Sequence, residues 1–318
     1  MSQTSHAVPS EPPKDEPPVN PLAELIARHA HAEGVQPSPV PSLYLYRAGR
    51  VAEPVHTLYK PSLCFIAQGR KVVTLEDEVL RYDPEHFLLV AVNLPITSQI
   101  LVASPDKPHL ALHIELDLGL IADLMSNLEP RAVNLSNQSG LSVGVLEPVL
   151  RDAVVRLARL LDTPEHIPTL APLTLREIGY ILLCSPQGAK LWEMALTNGP
   201  SYRIATAIQQ LVASFDQTLE VEQLAAEVNM SVSSFYQHFK SVTKMTPVQF
   251  QKRLRLQEAR RLLLARESDV TGTSFKVGYE SPSQFSREYK RLFGVPPSQD
   301  VDRFRDSSFS HESFSGNA

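Results

Sequence analysis

Two ten-residue stretches near the C-terminus share one pattern, and that pattern decides the fold of this part of the chain. The first stretch reads Ser231-Val232-Ser233-Ser234-Phe235-Tyr236-Gln237-His238-Phe239-Lys240. The second reads Ser281-Pro282-Ser283-Gln284-Phe285-Ser286-Arg287-Glu288-Tyr289-Lys290. Ser, Ser, Phe, an aromatic residue and Lys recur in register. Such a repeat predicts two helix-turn-helix modules, and it favours a DNA-reading protein over an enzyme.

The residues before the first stretch fit a supporting helix and a tight turn. Apolar residues of segment 221–228 share one helical face. Asn229 follows them, and Asn tolerates the left-handed backbone that such a turn requires. Ser231 is then a natural N-cap for the reading helix.

The second stretch has the clearer helix start. Segment 270–277 is the predicted supporting helix, with Gly278 at the turn. Ser281 is the predicted N-cap and Pro282 fits the first helical position. Gln284, three residues after the cap, is predicted to complete a capping box.

Each reading helix is predicted to have a buried face and a DNA-facing side. Aromatic residues four positions apart should face inward: Phe235, Phe239, Phe285 and Tyr289. The caps and outward positions of the helices at about 231–240 and 281–291 are the predicted DNA contacts: Ser231, Ser233, Ser234, Gln237, His238, Lys240, Ser281, Ser283, Gln284, Ser286, Arg287, Lys290 and Arg291. Gln and Arg can hydrogen bond to base edges, and Ser and Lys suit phosphates. For any one residue a solvated polar face explains the pattern equally well, but the repeat favours DNA contact for the set.

The segment between the two copies, 247–263, is predicted to be a basic linker helix. At about 1.5 Å per residue, some 16 residues extend roughly 24 Å. This length would let the two reading helices enter successive major grooves, which lie about 34 Å apart. Arg and Lys residues of the linker helix could then contact the intervening phosphates.

Charge is distributed unevenly along the 318 residues. The net charge is −5, yet segment 240–291 contains twelve Lys or Arg residues and only five Asp or Glu residues. A basic block within an acidic chain predicts a local anionic partner such as double-stranded DNA.

The N-terminal part predicts a β-rich domain flanked by helices. Residues 1–20 are rich in Pro, Ser and charge and should form a disordered tail, and a helix is expected from Pro21 to about Gly34. Short apolar strands are predicted at 43–47, 62–68, 71–75, 78–82, 87–92, 97–101 and 110–116. Strands of this spacing indicate a sandwich or barrel.

Segment 118–198 is predicted to be helical. It contains two stripes of apolar residues at helical spacing, which are separated by Pro164, Pro168 and Pro172. The first stripe could pack on the β-domain or pair with a second subunit, so a homodimer stays open. A further helix is expected after Pro200, and residues 306–318 should form a second disordered tail.

Residues 203–305 strongly resemble the DNA-binding domain of AraC/XylS-type transcription regulators. The resemblance is carried by Leu224-Ala225, Phe239-Lys240, Thr246-Pro247, Arg253-Leu254-Arg255-Leu256, Ala259-Arg260-Arg261-Leu262-Leu263, Val277-Gly278-Tyr279, Ser283-Gln284-Phe285-Ser286-Arg287 and Phe293-Gly294-Val295-Pro296-Pro297. It implies a transcription regulator with two helix-turn-helix modules, an activator more often than a repressor, and RNA polymerase as partner of an activator. The usual Gly of the first turn is replaced here by Asn229.

The N-terminal part is similar to the regulatory domain of the same family through Tyr59-Lys60-Pro61-Ser62-Leu63-Cys64, Gln68-Gly69-Arg70-Lys71 and Arg81-Tyr82-Asp83-Pro84. This similarity implies a cupin-like β-barrel. The expected architecture is therefore α+β with two domains: 21–199, a cupin-like regulatory domain ending in helices, and 200–305, an all-α domain of two helix-turn-helix modules joined by a linker helix.

A cupin-like barrel can also be a metal enzyme, in which His and carboxylate side chains converge on one metal ion. His56, His86, His109 and His113 form no His-x-His pair, and His109 and His113 are too far apart along a strand to share a metal easily. Nucleophile signatures and Gly-rich phosphate loops are absent from the sequence. We therefore predict no catalysis, no metal and no cofactor.

Three hypotheses remain from the sequence. The first is a DNA-binding regulator controlled by a small molecule in the barrel, the second a regulator whose barrel serves only dimerisation or a protein partner, and the third a metal-dependent oxygenase fused to a DNA module. Cys64 and Cys184 are expected to be buried thiols. With neither a signal peptide nor a membrane-spanning stretch recognised, a cytoplasmic location follows.

Overall fold

The computed structural model describes residues 20–306, except 52, 127, 129–138 and 196–198. The two predicted tails, 1–20 and 306–318, lie outside the described residues apart from one residue at each inner end. Asn20 is the N-cap of the first helix, where its side chain accepts a hydrogen bond from the amide of Leu22. Asp306 ends the last helix.

Two antiparallel sheets form the N-terminal domain. One has the strand order β1-β2-β9-β4-β7-β10 and the other β3-β8-β5-β6. The strands are β1 Gly34–Pro37, β2 Leu43–Ala48, β3 Val55–Tyr59, β4 Ser62–Gln68, β5 Arg70–Leu75, β6 Glu78–Tyr82, β7 His86–Val90, β8 Leu94–Val102, β9 His109–Glu115 and β10 Leu141–Val145. Each of the seven predicted strands is present: two have the predicted bounds, 62–68 and 78–82, and the other five differ by one to three residues at one or both ends.

Three strands were not predicted: β1, β3 and β10. The error at β10 is the largest, because this strand lies within the segment expected to be helical. Its burial does not alternate, since only Leu141 and Gly144 are buried, but it pairs with β7 from Leu141 opposite Val90 to Val145 opposite His86. The apolar run at 145–146 belongs to the end of this strand, and the next helix begins only at Pro148.

Helices cover the outer face of the larger sheet. Helix α1, Pro21–His29, packs against β2, β4 and β9, and its buried side comprises Leu22, Leu25 and Ile26. Leu43 and Leu45 are buried on one face of β2, whereas Tyr44 contacts His113 of β9 on the other. The second face, with Tyr44, points to the interior between the sheets.

The middle of the chain supplies α2 Leu118–Ser126, α3 Pro148–Arg159, α4 Ile167–Cys184 and α5 Gly188–Ala195. The three prolines predicted to separate two apolar stripes have different positions: Pro164 lies between α3 and α4, whereas Pro168 and Pro172 lie inside α4. Pro172 removes only one helical hydrogen bond near the start of a long helix that packs on α2, α3 and α5. By length and composition alone, Pro164–Cys184 could also cross a membrane, with a third of that segment buried here. Cys64 is buried as expected, whereas Cys184 at the end of α4 is exposed.

The described residues of the C-terminal region form helices joined by short turns and loops, with no strand among them. It comprises α6 Pro200–Ala213, α7 Val221–Glu227, α8 Val232–Thr243, α9 Pro247–Leu264, α10 Val270–Lys276, α11 Pro282–Phe293 and α12 Pro297–Asp306. The 18 residues of α9 extend about 27 Å. Its N-terminal half, with Phe250 and Leu254, joins the large core that the first module shares with the N-terminal domain. Its C-terminal half, from Leu256 to Leu263, joins a separate core with Phe285 and Tyr289.

Candidate nucleic-acid interface

The first helix-turn-helix module consists of α7 and α8. The chain turns between them at Asn229, whose φ of 55° lies in the left-handed region. Ser231 caps α8 by accepting the hydrogen bond of the amide three residues on. Phe235 and Phe239 are wholly buried, and the ring of Phe239 meets that of Phe250 edge-on at a centroid distance of 5.5 Å. These contacts fix the orientation of α8 against α9.

The second module, α10 and α11, has the predicted turn and cap but a different start of its reading helix. Gly278 has a φ of 85°, and a Cβ there would lie 2.1 Å from the carbonyl oxygen of Asp216, so the position requires Gly. Ser281 accepts a hydrogen bond from the amide of Gln284. The side chain of Gln284 bonds to Glu288 instead of returning to the cap. The predicted capping box is therefore only half formed.

A complete capping box occurs at α9, where it was not predicted. The hydroxyl of Thr246 accepts from the amide of Gln249, and the side chain of Gln249 accepts from the amide of Thr246 at 2.9 Å. The sequence Thr-Pro-x-Gln carried this signal.

Buried polar contacts stabilise the second core. The hydroxyl of Tyr289 donates to Asp300 of α12 at 2.7 Å, and the guanidinium of Arg260 binds the same carboxylate through two atoms. Burial and the nearby Asp300 carboxylate raise the pKa of Tyr289, so its hydroxyl stays a donor. α12 is thereby tied to both α9 and α11.

The predicted DNA contacts all reach the surface of the two reading helices. Nine are exposed: Ser231, Ser233, Gln237, Lys240, Ser283, Gln284, Arg287, Lys290 and Arg291. Four are half-buried: Ser234, His238, Ser281 and Ser286. Because Phe235, Phe239, Phe285 and Tyr289 are fully buried, the opposite sides of both helices present polar and basic groups to solvent, together with the exposed ring of Tyr236 on α8.

The basic residues of the linker helix have partners within the protein, which differs from the expectation that they contact phosphates. Four are in ion pairs: Lys252 with Glu288, Arg253 with Glu76, Arg260 with Asp300, and Arg261 with Glu258 and Glu267. Their charges are thus largely compensated, and the exposed positive charge of this region lies mainly on α8 and α11.

Arg255 of α9 joins the two modules. Its guanidinium donates to the carbonyl oxygens of Phe215, Gln217 and Gly278, each at 2.7 Å. These groups lie after α6 and in the turn of the second module. One signal for this role can be read in the sequence: Arg255 lies between the apolar residues Leu254 and Leu256, both of which are buried.

The linker helix also contacts the N-terminal domain. α9 packs against β3 and β8, and Arg253 forms an ion pair with Glu76 in the β5–β6 turn. The ring of His56 on β3 meets that of Phe293 edge-on at 5.0 Å. Burial, together with the positive charge of Arg260, lowers the pKa of His56 to about 4, so the imidazole is neutral at physiological pH.

Polar side chains converge in the interior between the two sheets. The ammonium group of Lys71 lies 2.9 Å from the hydroxyl of Tyr59, and Cys64 Sγ lies 3.3 Å from Nδ1 of His113. Burial and the charge of Lys71 lower the pKa values of His109 and His113 to about 3. Burial raises the pKa of the Cys64 thiol to about 11.

This interior does not have the composition of a metal site. In the part of the chain that the structure describes, no three His, Cys, Asp or Glu residues are placed to hold a metal ion. Glu115, which shares the strand parity of His109 and His113, forms an ion pair with Lys60 at 3.5 Å.

Family models match both parts of the chain. Residues 39–190 match the AraC-type transcriptional regulator N-terminus, and residues 224–303 match a helix-turn-helix domain. Together these matches cover well over half of the sequence. The chain belongs to the AraC family of transcription regulators.

Relatives in sequence agree with this membership. The virulence regulon transcriptional activator VirF of Yersinia enterocolitica is 26% identical over 156 residues, covering 48% of this chain and 56% of VirF. The regulator ExsA of Pseudomonas aeruginosa is 29% identical over 153 residues, covering 48% of this chain and 54% of ExsA. The match thus spans about half the length of these relatives.

The fold is similar to that of ToxT from Vibrio cholerae. A fatty-acid-bound ToxT structure superposes with a TM-score of 0.55 at 12% identity, covering 81% of this chain and 94% of ToxT. A ligand-free ToxT variant gives a TM-score of 0.54 at 11% identity, covering 85% and 99%. This AraC-family chain therefore has the predicted α+β architecture, a β-rich N-terminal domain followed by a helical C-terminal region.

Proposed function

We propose that this protein is a sequence-specific DNA-binding transcription regulator whose reading helices α8 and α11 enter successive major grooves. The observation that supports this proposal most directly is the repeated arrangement of a capped helix with buried aromatic residues and an exposed polar side. The proposed contacts are the thirteen residues predicted from the sequence, with Gln237 and Arg287 as candidate base readers and Lys240, Lys290 and Arg291 on phosphates.

The proposed division of labour follows the two parts of the chain. Residues 21–199 form the regulatory domain and 200–305 the DNA-binding domain, and the protein acts in the cytoplasm. The two family models support this division, because their matches at 39–190 and 224–303 fall on either side of the boundary.

A small molecule bound within the regulatory domain is the proposed signal. The solved ToxT structures support this, since their descriptions name an unsaturated fatty acid and a naphthalenyl butenoic acid as bound ligands. The contact of α9 with β3 and β8 offers a route by which such binding changes the position of the reading helices.

Two further partners are proposed. Several relatives are named as activators, so RNA polymerase is expected to be recruited, and purified protein should raise transcription in vitro from its own target promoter.

Leu170, Leu173 and Tyr180 form an exposed apolar face on α4 that suits a second copy of the chain. Light scattering should then show a dimer that Leu173→Glu dissociates; a wild-type monomer at micromolar concentration would rule this contact out.

The DNA-binding proposal is tested by replacing Arg287 with Ala. Arg287 is exposed, so the free energy of unfolding should change by less than about 0.5 kcal/mol, while binding to the region upstream of the protein's own gene should weaken by about 1–3 kcal/mol. Lys107→Ala, which removes an exposed charge from the β8–β9 turn, is the control. Equal affinity of the Arg287→Ala and Lys107→Ala proteins would show that α11 does not face DNA.

A further inference from the structure

Lys71 is a buried cation without a buried anion. It lies on β5, opposite Tyr82 of β6 and Ile100 of β8, and its residue surface is 9% exposed. Its only hydrogen bond among the described residues is to the Tyr59 hydroxyl at 2.9 Å, and no carboxylate of those residues forms an ion pair with it. A charged group removed from water without a counter-charge is costly, so such an arrangement persists where function requires it.

Aromatic rings surround the ammonium group of Lys71. Its nitrogen lies 5.4 Å from the ring centroid of Tyr46 and 5.6 Å from that of Tyr59, which are distances of cation–π contact. Burial by itself lowers the pKa of Lys71, but the neighbouring groups of Tyr59 and Tyr46 outweigh this and hold the pKa above its usual value. Lys71 is therefore positively charged at neutral pH.

His109 adds unused hydrogen-bonding capacity to the same interior. It is wholly buried, and neither ring nitrogen has a hydrogen-bond partner among the described residues. Its ring lies edge-on to that of Tyr46, with 5.8 Å between the centroids. A neutral imidazole has one N–H donor, and leaving it unsatisfied in the interior carries a further cost.

Two tyrosines of β2 line this interior and are partly exposed. Tyr44 and Tyr46 point into it from β2, yet both are only half-buried. A small molecule could therefore approach Lys71 past tyrosine rings, which suit the apolar body of a ligand.

The geometry points to a binding site for a small organic acid between the two sheets, with its carboxylate paired to Lys71 and hydrogen bonded by His109 and its apolar part against Tyr46 and Tyr59. This inference rests on the proposed small-molecule regulation and assigns the chemical class and the position of the effector. The carboxylate supplies the missing counter-charge and accepts hydrogen bonds from Lys71 and from His109, whose ring nitrogens have no partner among the described residues.

The site is distinct from the apolar cavities at the edges of the domain. One of these, of about 410 Å³, lies between the end of β9 and helices α2 and α4, lined by residues such as Leu116, Ile121 and Leu175. That cavity contains no buried cation, so it would not distinguish an acid from its neutral amide.

The test compares acids with their amides by thermal unfolding in the absence of DNA. Benzoate and octanoate at millimolar concentration should raise the melting temperature of the full-length wild-type protein by a few degrees, whereas benzamide and octanamide should not. Lys71→Met should abolish the shift by the acids. Lys71→Gln, which keeps a hydrogen-bonding group near Tyr59, should do the same and serves if Lys71→Met does not fold.

Lys190→Met is the matched control. Lys190 is also partly buried, but its ammonium group is satisfied by the carbonyl oxygens of Ser139 and Leu141, each at 2.8 Å. This variant should melt earlier than the wild type and still respond to the acids. Lys71→Met without ligand should melt at or above the wild-type temperature, because it removes an uncompensated buried charge.

Three results of the thermal unfolding test would overturn the proposed acid-binding site. Acids that stabilise neither protein, that stabilise wild type and Lys71→Met equally, or that act no better than their amides overturn it. DNA binding by the Lys71→Met protein is measured separately by gel shift. Retained DNA binding with a lost acid response supports the assignment, whereas a wild-type protein that binds no DNA refutes the proposed function and leaves the acid result to be judged by itself.

Discussion

At the scale of single residues, burial sets the protonation of several histidines. His109 and His113 lie in the interior between the sheets, and His56 lies against Phe293. Their pKa values fall to about 3, 3 and 4, because burial disfavours the charged imidazole and because Lys71 or Arg260 adds positive charge nearby. The folded protein therefore requires these rings to be neutral.

This requirement predicts acid sensitivity. The pKa of His109 in the folded protein lies below its ordinary value of 6.5, so the unfolded chain takes up the proton first as the pH falls. The stability that depends on the neutral ring is complete above about pH 6.5 and is lost progressively down to about pH 3. Between pH 7 and 4.5 the loss should be on the order of 2–3 kcal/mol for this residue.

His109→Phe tests the assignment, because phenylalanine has nearly the same shape and takes up no proton. The melting temperature of this variant should fall less between pH 7 and 4.5 than that of the wild type. His31→Gln, at an exposed position, is the control and should follow the wild-type profile. A His109→Phe profile parallel to that of the wild type would contradict the buried, neutral state of His109.

At the scale of elements, α9 does more than separate the two modules. Its two halves contribute to two different cores, and Arg255 binds the backbone between α6 and α7 as well as the turn of the second module. Burial is the main reason that the pKa of Arg255 is lowered, although the group stays charged. The orientation of α11 relative to α8 therefore depends on one guanidinium as well as on packing.

Arg255→Ala should destabilise the C-terminal region by about 3 kcal/mol, since three carbonyl oxygens lose a charged donor. It should also weaken DNA binding, because the relative orientation of the reading helices is loosened. Chemical denaturation and a gel shift measure the two effects. Arg291→Ala, at an exposed position of α11, should lower DNA affinity with little change in stability, and equal stability of the two variants would refute the role of Arg255.

The sequence predicted the elements well where local chemistry determines them. The caps Ser231 and Ser281, the turn residues Asn229 and Gly278 and the buried aromatic residues all follow from local spacing. Strand β10 was missed, because a five-residue edge strand is defined by its partner β7 and not by its own pattern. The role of Arg255 could not be predicted, since its three acceptors come from segments distant in sequence.

At the scale of the whole molecule, the contact between α9 and the β-domain links the regulatory part to the reading helices. Glu76 directly follows β5, the strand that contains Lys71, and has a φ of 51° in the β5–β6 turn. Its side chain forms an ion pair with Arg253 of α9. A ligand that shifts β5 would therefore act on α9 directly.

A double-mutant cycle measures this link. Glu76→Gln and Arg253→Gln should each destabilise the protein slightly, with a coupling energy of no more than about 1 kcal/mol, because both side chains retain some contact with solvent. If the effects of the two substitutions on stability were additive, the coupling energy would be zero and the ion pair would not link the two domains energetically. The exposed pair of Arg28 and Asp162, within the N-terminal domain, provides a comparison that should not affect DNA binding.

The central claim is that α8 and α11 of one chain read DNA together. Hydroxyl-radical and base-methylation footprinting of the full-length protein on the region upstream of its own gene tests it most directly. We predict two protected regions in the major groove on the same DNA face, about one helical turn apart. Arg287→Ala should reduce the protection of one region and Gln237→Ala that of the other. A single protected window, or protection that both variants leave unchanged, would contradict the claim.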